Sequence, residues 1–265
     1  MTATVYVFDN DSAHACMHHG ALSDLLDARS REFARQLVDL PGARCLEVAA
    51  GGGGFAHWLA AEVGPGGHVL ATDLNPSLVA SAPQLEVIKH NIVTDEIPES
   101  GTWNFVHARL LLNHLPPRRA VLAKLAAALA PGGVLLTEDW YSEPPEEFVA
   151  YAGDASDREL LRRYHAATLA VYDAHGNTRR WATGAHQAMR EEGLEQVQTV
   201  VRTESWVGGS PGTKLLTASV GQLYEQLLEQ GLTSAELDRV SALFADPEVT
   251  FHGHRLYSTS GRRPV

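Results

Sequence analysis

The chain has 265 residues, 45% hydrophobic and 20% charged, which is enough apolar content for a sizeable core and too much for a disordered chain. Its formal net charge of −11 and lack of a basic stripe argue against nucleic acid or an anionic membrane as partner, and for a neutral or cationic small molecule. Only Cys16 and Cys45 could form a disulfide, no signal-like start is present, and no stretch nears the roughly 18 apolar residues that span a bilayer, so a cytoplasmic protein is expected.

Residues 12–39 carry Leu22, Leu25, Leu26, Phe33, Leu37 and Val38 at helical spacing, with Asp11 or Ser12 as cap, and Pro41-Gly42 ends the pattern. Short apolar runs then alternate with helical segments. ARCLEVA reads as a strand, FAHWLAAEV as a helix, HVLATDL as a strand and PSLVASA as a short helix. LEVIKH and WNFVHA read as strands, PRRAVLAKLAAALA as a helix and GVLLTEDW as a strand. That alternation means βαβ units, a parallel sheet and helices on both faces. After the linker SEPPEE, helices are expected at about 157–173, 179–192, 214–230 and 234–245. GLEQVQTVVRTESWV and EVTFHGHRLYSTSGR each read as one strand. The expected segments are an N-terminal helical cover (1–40), a ligand-binding core (41–143), an inserted helical lid for the acceptor (144–192) and a C-terminal part completing the sheet (193–265).

The strongest chemical signal is Glu47-Val48-Ala49-Ala50-Gly51-Gly52-Gly53-Gly54, between a strand and a helix. Glycines there let the backbone approach a ligand and take positive φ. Asp73 ends the next strand, where an acid can accept both hydroxyls of a ribose. Gly51, Gly53 and Ala56 also satisfy a dinucleotide pattern, so the glycines alone do not separate the two ligand types. Glu47 tips the balance, because a carboxylate is unfavourable beside a pyrophosphate and acceptable beside a sulfonium and an ammonium. In HNIVTDEIP, Asn91 is placed to bond an adenine edge and Ile92 to pack on its face.

CLEVAAGGGGF, VLATDLNP, HNIVTDEIP and LAPGGVLL together resemble the ordered motifs of class I methyltransferases that use S-adenosylmethionine (SAM). YVFDN, HARLLLNHLP, EDW and GRRP resemble bacterial natural-product tailoring methyltransferases. The resemblance implies a Rossmann-like, mostly parallel seven-stranded sheet with an antiparallel last strand. It implies SAM as cofactor, S-adenosylhomocysteine (SAH) as product and a secondary metabolite as acceptor. By the same resemblance Glu47, Ala49 and Gly51, with Gly53, line the methionine portion. Asp73 and Leu74 hold the ribose end, Asn91 and Ile92 the adenine, and Ala108 and Arg109 follow the fourth strand beside the sulfonium. Ala49 departs from the family pattern, which has glycine there. Tyr6 and Phe8 are expected to fold over the cofactor.

A general base helps where the acceptor is a hydroxyl or an acidic carbon, and histidine suits that role. His114, past the fourth strand, and His165, in the lid, are the candidates, with Tyr164 beside the latter. Glu138 and Asp139 end the fifth strand and could bind an amine or a metal, or solvate the strand end. His14 and His18 have a metal-binding spacing but no further ligand set, so no metal is expected. Rival readings are an NAD-dependent reductase, which lacks its Tyr-x-x-x-Lys pair here, and a SAM-binding protein that does not methylate. The accepting atom (oxygen, nitrogen or carbon) and a homodimeric or other assembly stay open.

Overall fold

The computed structural model describes residues 15–265, with side chains from Met17 onward. Tyr6, Phe8, Asp11, Ser12 and His14, singled out above, lie outside the described residues, as does the Cys16 side chain. The chain divides into two units.

The larger unit takes Leu26–Trp140, Arg180–Val201 and Leu256–Val265. Its strands are β1 (Arg44–Val48), β2 (His68–Asp73), β3 (Leu85–Lys89), β4 (Trp103–Arg109), β5 (Leu129–Tyr141), β7 (Glu195–Arg202) and β10 (Arg255–Arg262). They form one sheet in the order β3-β2-β1-β4-β5-β10-β7, parallel from β3 to β5 with β10 antiparallel. Strands covered on both faces are mostly apolar on both, which explains the nearly continuous burial of β1, β2 and β4 and makes Glu47 and His107 within them exceptional. Side chains alternate between the faces. Cys45, Phe105, Val134 and Leu136 pack against Phe33 and Ala34 of α1 (Ala15–Leu37) and against Phe55, Ala56 and Leu59 of α2 (Gly54–Val63). Leu46, Val48, Val106 and Leu135 pack against α3 (Arg118–Ala128) and α5 (Trp181–Glu191). Helix α5 thus belongs to the sheet unit, although it falls within the expected lid segment. PSLVASA makes only one 3-10 turn, Pro76–Leu78.

The second unit takes Tyr141–Arg179 and Arg202–Arg255, with residues 15–25 of the described chain. It contains α4 (Ala155–Ala174), α6 (Pro211–Gln222), α7 (Tyr224–Glu229) and α8 (Ser234–Ala245). A small sheet runs in the order β6 (Val149–Tyr151), β9 (Thr250–His252), β8 (Ser205–Val207), antiparallel throughout. Phe148, Tyr164, Trp206, Phe244 and Phe251 dominate its core. The two long C-terminal strands expected from periodicity are therefore each cut in two. One becomes β7 and β8, the other β9 and β10. The cuts are tied together, since Thr203 Oγ1 donates to Gly253 O at 2.9 Å and Gly253 N to Glu204 O at 2.9 Å. A Cβ at Gly253 would stand 2.5 Å from that carbonyl oxygen and 2.6 Å from the Trp206 ring, so only glycine lets the chain leave the strand here. Among the described residues no helix is long and apolar enough to cross a membrane.

Trp206 is seated equally closely on Gly212, where a Cβ would lie 2.2 Å from the indole. Gly212→Ala is expected to destabilise the protein by about 1–3 kcal/mol through overpacking. Gly184→Ala, in α5 with open space around it, should instead stabilise by roughly 0.5–1 kcal/mol. Urea denaturation of the two variants checks the pair.

Candidate active site

The carboxyl ends of β1, β2, β4 and β5 gather nearly all the residues singled out in the larger unit. Beyond β1 the backbone turns left-handed at Ala49 (φ 60°), Gly51 (54°) and Gly53 (78°) before α2 begins. Gly53 permits the closest approach, because a Cβ there would meet Val79 Cγ1 at 2.8 Å. Ala49 takes this conformation with a side chain, and Leu110, just past β4, does the same at φ 52°. Such strain costs on the order of 1–3 kcal/mol and collects at functional sites. Asp73 holds the turn from the neighbouring strand. Its Oδ2 accepts from Gly51 N at 2.9 Å and its Oδ1 from Asn75 N at 3.0 Å. Leu74 beside it is 50% exposed. Asn91 accepts from Val93 N at 3.0 Å, closing a local turn, while Ile92 is buried in the core.

A row of polar side chains crosses the α1/α2 face of the sheet. Glu47, His107 and Glu138 occupy adjacent strands, with Glu47 and His107 paired in register. His107 Nδ1 lies 2.6 Å from Glu47 Oε2, and its Nε2 lies 3.2 Å from Glu138 Oε2. All three are buried. Glu138 also accepts from the hydroxyls of Ser30 and Ser258. Arg109 reaches Ser30 Oγ at 3.1 Å and Asp27 Oδ1 at 2.6 Å, so its guanidinium is committed to α1. Burial alone would lower the imidazole's pKa, but the two carboxylates outweigh it and raise His107 to about 9. Burial pushes Glu138 up, while His107, Arg109 and Ser258 bring it down to about 2. Glu47 stays raised, because burial outweighs the opposing pull of His107.

Asp139 points to the other face, where it accepts from Asn113 N at 3.3 Å. Burial pushes its carboxyl up to about 7. Asp139 Oδ2 and Asn113 Oδ1 are buried without a hydrogen-bond partner. His114 follows in the 3-10 turn Leu112–His114, with its imidazole pushed down to about 4 by desolvation and by Arg118. Ala108 is buried in the core on this face. His165 is in the second unit on α4, where its Nε2 donates to Glu143 O at 2.8 Å and its ring stacks on Phe148 at 4.1 Å. Burial lowers it to about 4. Among the described residues no group of three or more His, Cys, Asp or Glu is arranged to hold a metal.

Sequence reading did not single out His107, Ser30, Asp27 or Ser258. A signal existed for His107, since an ionisable residue inside an apolar strand demands a buried partner. The serines and Asp27 carried none, being ordinary helix and strand residues until the fold joined them.

Residues 17–199 match a family described as Methyltransferase domain. Methyltransferase str2 of Strobilurus tenacellus is 36% identical over 97 residues, 36% of this chain and 35% of that protein. Ubiquinone biosynthesis O-methyltransferase of Xanthomonas campestris is 30% identical over 139 residues, 49% of this chain and 56% of that protein. The matched stretches thus span from about a third to just over half of these relatives' length. Phosphoethanolamine N-methyltransferase 2 of Haemonchus contortus, solved with phosphomonomethylethanolamine and SAH, aligns with 100% of this chain and 61% of its own at TM-score 0.60 and 14% identity. YcgJ of Bacillus subtilis aligns with 94% of this chain and 100% of its own at TM-score 0.57 and 12% identity. At such identities the likeness carries the fold.

Two outcomes are expected. Ala49→Gly relieves left-handed strain of about 1–2 kcal/mol and adds roughly 0.5–1 kcal/mol of unfolded-state entropy, so it should raise stability by up to about 1 kcal/mol in urea melts. His107 has its pKa raised by folding, so its stabilisation is complete below its ordinary 6.5 and is lost as pH rises towards about 9. Unfolding free energy should therefore fall by roughly 2 kcal/mol between pH 7 and pH 9.

Proposed function

The chain belongs to the methyltransferase domain family, and on that premise we propose that it moves a methyl group from SAM to a small-molecule acceptor, a secondary metabolite by class. The observation that carries the reading is Asp73 bound to the left-handed loop through Gly51 N. Each Asp73 oxygen accepts one backbone N–H, and the side chain is only half-buried, so further lone pairs suit the two hydroxyls of a ribose. Gly53, left-handed and with Val79 packed where a Cβ would stand, fixes the course of the loop into α2. Glu47, Ala49 and Gly51 then line the methionine portion. Leu74 stands with Asp73 at the ribose end, Asn91 and Ile92 line the adenine, and Ala108 and Arg109 the end of β4.

When bound, SAM supplies a methyl group already activated by a sulfonium. What is left for the chain is alignment and exclusion of water, which is where effective molarity comes from. Asp73 and the loop fix one end of the cofactor. Asn113 Oδ1, a buried acceptor without a hydrogen-bond partner, and the buried Asp139 carboxyl, which has the Trp181 indole N–H beside it, suit an acceptor molecule that brings a hydroxyl or an amine. His114, held neutral by burial and by Arg118, is the histidine of the larger unit nearest that pair in the chain. In the second unit His165 donates through Nε2, leaving Nδ1 as its basic nitrogen. The names of the relatives, ubiquinone biosynthesis O-methyltransferase and phosphoethanolamine N-methyltransferase, support small acceptors of this kind.

Calorimetry with SAH and, separately, with NAD tests the reading. SAH should bind and NAD should not, and Asp73→Ala should weaken SAH about ten- to a hundred-fold, the worth of charge-assisted hydrogen bonds. Binding of NAD without SAH would replace the methyltransferase reading by a reductase.

A further inference from the structure

Both ring nitrogens of His107 face carboxylate oxygens, Glu47 Oε2 at 2.6 Å and Glu138 Oε2 at 3.2 Å. A neutral imidazole has one N–H and one lone pair, so it would set a lone pair against an anion on one side. Two hydrogens are needed to close both contacts: with both on the ring the row is a cation between two anions, and with one of them on Glu47 it is a neutral ring between a carboxyl and a carboxylate. We propose that His107 is a charge-setting residue for the cofactor: it keeps the buried Glu47 carboxylate ionised, so that the site prefers the cationic methyl donor to its neutral product. The proposal rests on the methyltransferase reading, which places Glu47 at the methionine end.

A carboxyl as buried as Glu47 takes up a proton unless a charge or a donor opposes it. Burial does push Glu47 up, and among the groups that oppose this His107 acts most strongly, by charge and by hydrogen bond, with Arg109 next. Asp27 acts the other way, and its own carboxylate is paired to Arg109 and Arg31. Cys45, on the same strand and face, stays a thiol because burial and Glu47 push it to about 12. The remaining neighbours are rings, Phe55 at 4.2 Å and Phe105 at 6.2 Å from the imidazole centre. Glu138 stabilises the imidazolium from the far side, and the hydroxyls of Ser30 and Ser258 keep Glu138 in place as an acceptor. The row is therefore coupled from the serines to Glu138, to His107, to Glu47, each group acting on its neighbours in both directions. SAM and SAH differ only by a methyl and the sulfonium charge, so the ratio of their affinities reads the field at that sulfur.

The test measures dissociation constants of SAM and SAH by calorimetry from pH 6 to pH 9 for wild type, His107→Gln and Glu47→Gln. In wild type the ratio should be flat between pH 6 and 8. In His107→Gln, SAM should weaken at least about tenfold at pH 7 while SAH changes less than about threefold, and the SAM loss should shrink as rising pH ionises Glu47. Glu47→Gln should show the same loss with no recovery at any pH. Equal effects on both ligands, or an unchanged ratio, would overturn the proposal while leaving the methyltransferase reading in place. Failure of both ligands to bind wild type would end that reading and the proposal with it. If His107→Gln does not fold, nitrogen-15 NMR of the wild-type imidazoles decides. His107 should still be doubly protonated at pH 8, and a neutral His107 there would overturn the proposal.

Discussion

The hydrogen bonds from one buried imidazole to two buried carboxylates constrain the larger unit more than any other interaction. Glu47, His107 and Glu138 come from β1, β4 and β5, and the alternation of side chains places all three on the face covered by α1 and α2. No member is tolerable there alone, since an unpaired buried charge costs several kcal/mol. The register of three strands, the position of Ser30 on α1 and the insertion of β10 beside β5 therefore have to agree. Breaking one contact would leave a charge with nowhere to go.

The same constraint reaches the loop. Glu47 ends in the row, and two residues later the backbone is already left-handed at Ala49. The turn is held twice from β2, by Asp73 through Gly51 N and by Thr72 O, which accepts from Ala50 N at 3.0 Å. An alanine survives in a conformation that favours glycine because its surroundings over-determine it. The opposite face of β5 bears a different chemistry. There the buried Asp139 and Asn113 keep oxygens unpaired, which is the usual condition of groups that wait for a ligand. Consecutive residues, Glu138 and Asp139, are thus assigned to separate tasks by nothing more than strand alternation.

The second unit is organised around aromatic packing on glycine. Trp206 lies on Gly212 and Gly253, and Phe148 stacks flat on His165 at an interplanar angle of 5°. Burial keeps His165 and His254 neutral, at about 4 and about 3. A unit with two short antiparallel edges gains rigidity from these close contacts.

The sequence alone determined the fold class and the βαβ core, because a strand buried on both faces must be apolar throughout and a helix must repeat at its own period. It also marked Asp73 and the glycine loop, whose residue types are demanded locally by backbone conformation. It did not reveal that the two C-terminal strand runs are cut, since the break depends on Trp206 lying against Gly253, forty-seven residues away in the chain. Nor did it reveal His107 as the partner of Glu47, or commit Arg109 to Asp27 and Ser30. Local periodicity is blind to pairings between residues 60 or 82 positions apart. Only the tertiary structure decided those, because a buried charge takes its role from whatever the fold sets opposite it.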